Sequence, residues 1–169
     1  ACRACAYKTM ASGLSAPQKK HRACDALKTI EKNMKSIKTI AAQFSEKTLP
    51  KSEWTHLAHL AVAFAELDSE QEFEKTLDSL RRKIKDYNLS VGTPNSDDSG
   101  YHETLTVFWL AVVQGFHSEN SPRTSEEMYR KFIGTPYASP NLPSLFYSKD
   151  LLFSTQARHH WVDPDLRPL

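Results

Sequence analysis

From Ser36 onward the apolar side chains fall at helical intervals. Ile37, Ile40, Ala41 and Phe44 repeat at i, i+3, i+4 and i+7, the stripe of an amphipathic helix. Pro50 suits the first turn of a following helix, where its missing N–H costs nothing, and the pattern predicts that helix from Ser52 to about Leu67. Its apolar side chains cover most of the circumference, so it is expected at the centre of the fold. Ser69 and Glu72 have the spacing of a capping box ahead of a third helix, whose narrow stripe is Phe73, Leu77, Leu80, Ile84 and Tyr87. The charged run Arg81, Arg82, Lys83, Lys85 and Asp86 backs that stripe and is read as a solvated face.

The turn formers of Ser90 to Gly100 end the helical period. With Ser99 as its cap, a fourth helix is predicted from Tyr101 to about His117, its wide apolar face running through Leu105, Phe108, Trp109, Val112, Val113 and Phe116. Thr124 and Glu127 repeat the capping-box spacing before a short helix that Gly134 ends. Prolines 136, 140, 143, 164 and 168 exclude long regular elements from the last stretch. Short helical turns fit Ser144 to Phe153 and Ser154 to Trp161. The aromatic and aliphatic side chains there predict an arm that wraps over the bundle. The fold class is therefore all-α: a compact bundle of about five helices with a Pro-rich, partly helical C-terminal arm.

Charge changes this picture at one end. The net charge of +2 conceals nine Lys/Arg against only Asp25 and Glu31 in residues 1–40, which leaves residues 41–169 net acidic. A nucleic-acid surface needs clustered cations on the folded body, so none is expected, and no apolar run reaches the ~20 residues that span a bilayer. All three cysteines, Cys2, Cys5 and Cys24, fall in the basic segment. A body without cysteine is no disulfide scaffold, which favours a reducing, cytoplasmic setting, with organellar import by the basic leader as the alternative. Residues 1–33 are read as a leader outside the fold and residues 34–169 as one helical domain. Cys2, Cys5, His21 and Cys24 have the ligand types of a Cys₃His zinc site, but chance is the stronger reading there.

The candidate chemistry lies on the two core helices. Glu53, His56 and His59 follow one another at intervals of three, so that on one helix adjacent members converge beside it, as metal ligands do in helical bundles. His102 falls within the apolar face of the fourth helix and is expected to point inward, next to Glu103. The metal set is thus His56, His59 and His102, with Glu53 or Glu103 as a further ligand or general base. Such nitrogen and oxygen ligation suits zinc, iron, manganese or copper without choosing among them. Arg158 is a candidate carboxylate clamp, with a structural ion pair as its competing role. The expected function is a small helical metal-dependent enzyme acting on a small molecule. The alternative is a non-catalytic binding module in which the same His/Glu groups form a buried hydrogen-bond network.

Three segments also resemble a family of small, uncharacterised, chiefly bacterial proteins. They are Thr55-His56-Leu57-Ala58-His59-Leu60 (T-H-x-x-H-L), Gly100-Tyr101-His102-Glu103-Thr104 (G-Y-H-E-T) and Trp161-Val162-Asp163-Pro164-Asp165-Leu166 (W-V-x-P-D-L). The resemblance covers roughly residues 37–169 and leaves residues 1–33 outside. It implies domain limits and site membership but no activity.

Overall fold

The structure, a computed structural model, describes residues 35–70, 72–120 and 124–169. The basic leader and its Cys/His constellation lie outside the described residues. Helix α1 spans Ile37–Ser45, α2 His56–Glu70, α3 Phe73–Ser90, α4 Glu103–Asn120 and α5 Ser125–Ile133, with two short helices in the arm, α6 at Lys149–Leu152 and α7 at Thr155–His159. Three 3-10 turns, Lys51–Glu53, Pro136–Ala138 and Leu142–Leu145, fill the connections. Among the described residues there is no strand, and no helix is long and apolar enough to cross a membrane.

Helix α2 is central, as its all-round apolar sequence predicts: it packs against α1, α3, α4 and α5. Leu60, Ala61, Val62, Phe64 and Leu67 are buried along it. Burying a side chain such as Phe64 contributes about 1.5–3 kcal/mol relative to leaving it in water. Phe64 meets Phe116, Tyr129 and Phe132 edge-on, at ring separations of 6.5, 5.9 and 5.5 Å, the arrangement that ring quadrupoles favour. These contacts tie α2, α4 and α5 into one core.

The helix boundaries depart from the predicted pattern at three places, one of them α4, which begins at Glu103 rather than Tyr101 and is capped by His102 Nδ1, not by Ser99. Thr124 and Glu127 form the predicted capping box at α5, each side chain accepting from the other's backbone N–H. Ser69 and Glu72 do not form theirs. The apolar face of α2 carries that helix through Ser69 to Glu70, and Glu72 itself becomes the residue before α3, with no side-chain cap. The third departure is at Pro50, which opens not the central helix but a 3-10 turn; Trp54 (φ −75°, ψ 62°) then breaks the chain before α2 begins at His56.

The arm wraps over the N-terminal end of α4. Thr104 Oγ1 donates to the His160 carbonyl at 2.8 Å and accepts from Val162 N–H at 3.2 Å, and Tyr147 Oη donates to the Val162 carbonyl at 3.1 Å. The loop between α3 and α4 folds back on itself at Gly100 (φ +75°). A Cβ there would meet the Pro94 carbonyl oxygen at 2.3 Å, so this reversal requires glycine.

Candidate functional site

A cavity of about 520 Å³ opens between α2, α3 and α4, flanked by the α3–α4 loop. Its floor is aliphatic, with Val62, Ala63, Leu80, Ile84, Leu105 and Leu110 drawn from the buried faces of three helices. Above that floor stand Trp54, His56, His59, Tyr101, His102 and Trp109, with the exposed Lys51 at the rim. All three histidines singled out by sequence therefore line one cavity. How they use their nitrogens differs.

His56 Nε2 lies 3.0 Å from the Ala138 carbonyl, and His59 Nδ1 lies 2.7 Å from the carbonyl of Thr55, one turn back on the chain. A carbonyl only accepts, so these nitrogens carry the protons, and Nδ1 of His56 and Nε2 of His59 keep their lone pairs. Burial lowers the pKa of His56 more than its backbone hydrogen bond raises it. His59 keeps an edge open to solvent, yet the protein packed round the rest of the ring lowers its pKa too, and the nearby His56 adds to this. Both rings are neutral at pH 7. Each can accept a hydrogen bond or a proton.

His102 is different. Its Nε2–H donates to the Leu152 carbonyl at 2.8 Å, while its Nδ1 accepts from Leu105 N–H at 3.3 Å. The first bond holds the arm, and the second caps the first turn of α4, so both ring nitrogens are occupied. The expected convergence of His56, His59 and His102 on a shared ion is thus replaced by three separate backbone attachments. Among the described residues, no group of three or more His, Cys, Asp or Glu side chains is arranged to hold a metal ion.

The acidic candidates are placed elsewhere. Glu53 sits in the 3-10 turn, off the α2 helix, so its spacing of three from His56 does not bring the two together. Its exposed carboxylate pairs instead with Lys35 at 2.6 Å. Glu103 is buried, but it faces α3. Arg81 Nε reaches both carboxylate oxygens at 3.1 Å, Arg81 Nη2 makes a further short contact, and Tyr101 Oη donates at 2.7 Å. Burial alone would raise the Glu103 pKa; the hydrogen bonds from Arg81 and Tyr101 outweigh it and hold the carboxyl below its ordinary value. A carboxylate so fully engaged has no capacity left to act as a base in the cavity. Arg158 clamps no carboxylate either: its Nη1 donates to the Tyr101 carbonyl at 3.2 Å, and its buried Nε has no hydrogen-bond partner.

Sequence reasoning missed the parts of the site that depend on distant partners. Arg81, read as part of a solvated basic run, instead bridges α3 to α4, and Lys83 bridges α3 to the buried Glu66 of α2 at 2.6 Å. Glu66 also accepts from Ser79 Oγ at 2.7 Å. Trp109, read as part of a buried apolar face, and Trp54 line the cavity. Trp54 is held between Phe44 and His59, at ring separations of 4.5 and 3.8 Å, and Trp109 lies 4.6 Å from the His56 ring. The one available signal was that Trp54 directly precedes the histidine-bearing segment.

No family model, curated protein or solved structure matches the chain, so the family resemblance rests on its three short segments alone.

Proposed function

We propose that this chain is a helical small-molecule-binding domain whose cavity holds its ligand against the neutral imidazoles of His56 and His59. The observation that carries the reading is the pairing of unused polar capacity with an apolar floor. Two histidines that each keep one free ring nitrogen line a space of about 520 Å³, within the roughly 300–1,000 Å³ of small-molecule sites. His56 is half-buried and His59 exposed, so water serves these nitrogens when the cavity is empty, and a ligand carrying a donor can take the water's place. Fragment screening by nitrogen-15 NMR on the full chain tests this. Binders are expected to shift the resonances of His56, His59 and Trp109, and Leu105→Trp, which fills the cavity, is expected to abolish those shifts while the helical circular dichroism persists. A screen without cavity-specific binders overturns the reading.

A metal-dependent enzyme stands second. In its favour, His56 and His59 lie close enough to interact electrostatically, and each keeps one free nitrogen. Two nitrogens fall short of the three protein ligands usual in a catalytic zinc site, and His102 is already engaged. Zinc, iron(II), manganese and copper titrations on tag-free protein decide between the two. Stoichiometric retention of one metal, lost in His56→Gln, would put the enzyme first.

A further inference from the structure

The cavity's polar groups also define the charge and shape of what it takes; this step rests on the small-molecule reading above. Its donors come first. Trp161, outside the cavity, directs its indole N–H to Asp163 at 3.1 Å, whereas neither Trp54 nor Trp109 has a protein acceptor among the described residues. Neither N–H is sealed from solvent, so each is served by water when the cavity is empty and can donate to a ligand instead. Lys51 at the cavity rim, like several other exposed lysines, makes no ion pair among the described residues, so its ammonium is open to a ligand.

The only formal charge on the lining is that of Lys51. No Asp or Glu is among the residues that line the cavity. Lys85 lies over the Tyr101 ring at 4.8 Å and Arg158 holds the Tyr101 carbonyl, so two more cations flank a lining residue. The nearest buried carboxylate, Glu103, is matched by Arg81. An anion entering this space therefore meets N–H donors and the Lys51 ammonium, with no carboxylate on the lining itself; Asp98 and Glu103, which act on Arg158 and Lys85, stand outside it. The side walls are flat rings and the floor is aliphatic, which favours a planar apolar body.

We infer that the ligand is a planar aromatic monoanion of the arene-carboxylate type, its ring over the aliphatic floor and its carboxylate toward Lys51 and the indole N–H groups. The lone pairs of His56 and His59 then receive a donor on the ring, which would favour substituted rings bearing a hydroxyl or amino group.

Three isosteric probes separate charge from shape: 2-naphthoate, 2-naphthamide and 2-naphthamidine, titrated into the full chain and followed by NMR and calorimetry. Naphthoate is expected to bind about three- to fivefold more tightly than the neutral amide, the range expected for an ion pair with an exposed lysine, with the amidine weakest. Lys51→Gln, at an exposed position that leaves the fold intact, is expected to bring the acid to parity with the amide and leave the amide unchanged. Equal wild-type affinities for acid and amide, or tightest binding by the amidine, overturn the charge assignment while small-molecule binding stands. Failure of all three in a cavity that accepts other fragments overturns the aromatic class as well.

Discussion

The α3 face of the bundle and the wall of the cavity use similar residue types to opposite ends. On the α3 face every buried charge is matched: Glu103 has Arg81 and Tyr101, and Glu66 has Lys83 and Ser79. On the cavity wall the rings of His56 and His59 are neutral and each keeps a lone pair, while the Trp54 and Trp109 N–H groups have no acceptor among the described residues. Buried ions left unmatched would cost several kcal/mol, so in the first region each ion depends on its partner. Neutral groups bordering an open cavity tolerate incompleteness, because water or a ligand can serve them. Function is therefore to be sought where polar capacity is left over. His102 sits in the cavity wall but belongs chemically to the first region, since both of its nitrogens are engaged.

The largest effect expected from breaking this contrast is at Glu103. Glu103→Ala leaves the Arg81 guanidinium and the Tyr101 hydroxyl without their partner and should cost roughly 3 kcal/mol, the lower end for a broken buried pair because Arg81 keeps Asp78 and some solvent. Urea unfolding measures it, and a loss below about 1 kcal/mol would remove Glu103 from the stabilising region. His102→Ala comes next, at about 2 kcal/mol, since it removes both a helix cap and the attachment of the arm. Faster amide exchange from Leu152 through Val162, with the α2 amides still protected, would locate the loss.

Acid provides a third test. The folded-state pKa values of His56, His59 and His102 all lie below the ordinary 6.5, burial being the largest cause for each. As the pH falls below 6.5, the unfolded chain takes up protons before the folded one, so stability is complete above that value and declines toward the folded pKa values. The urea midpoint should therefore drop between pH 7.5 and pH 5, and the drop should shrink in His102→Asn. The smallest stability effect is expected at His59. His59→Gln removes an exposed ring with one local backbone bond, so it should change stability by less than about 1 kcal/mol while weakening ligand binding. A large loss of stability there would move His59 to the structural side of the comparison.

The sequence reading reached different depths in the two regions for a physical reason. Apolar periodicity is local, and it located α1, the central α2, the outer α3 and the buried face of α4; the capping box at Thr124 and Glu127 is local too. Glu53 was misplaced because a spacing of three reads the same in a 3-10 turn as in an α-helix, and the backbone break at Trp54 leaves no mark in the pattern. The inward direction of His102 was legible, but its partner was not. The Leu152 carbonyl lies fifty residues away in the arm, and a backbone carbonyl carries no residue-type signal. The same holds for His56 and Ala138. Arg81 and Glu103 are separated by twenty-two residues and a loop, so helical spacing alone made Arg81 a surface charge.

The stacking of Trp54 between Phe44 and His59 has an optical consequence. An imidazolium in contact with an indole quenches its emission, whereas the neutral imidazole does so far less. With the His59 ring centred 3.8 Å from that of Trp54, the chain carries its own fluorescent gauge of the cavity. Protonation of the imidazole, or a guest that displaces it, would register as a change in brightness without any attached dye.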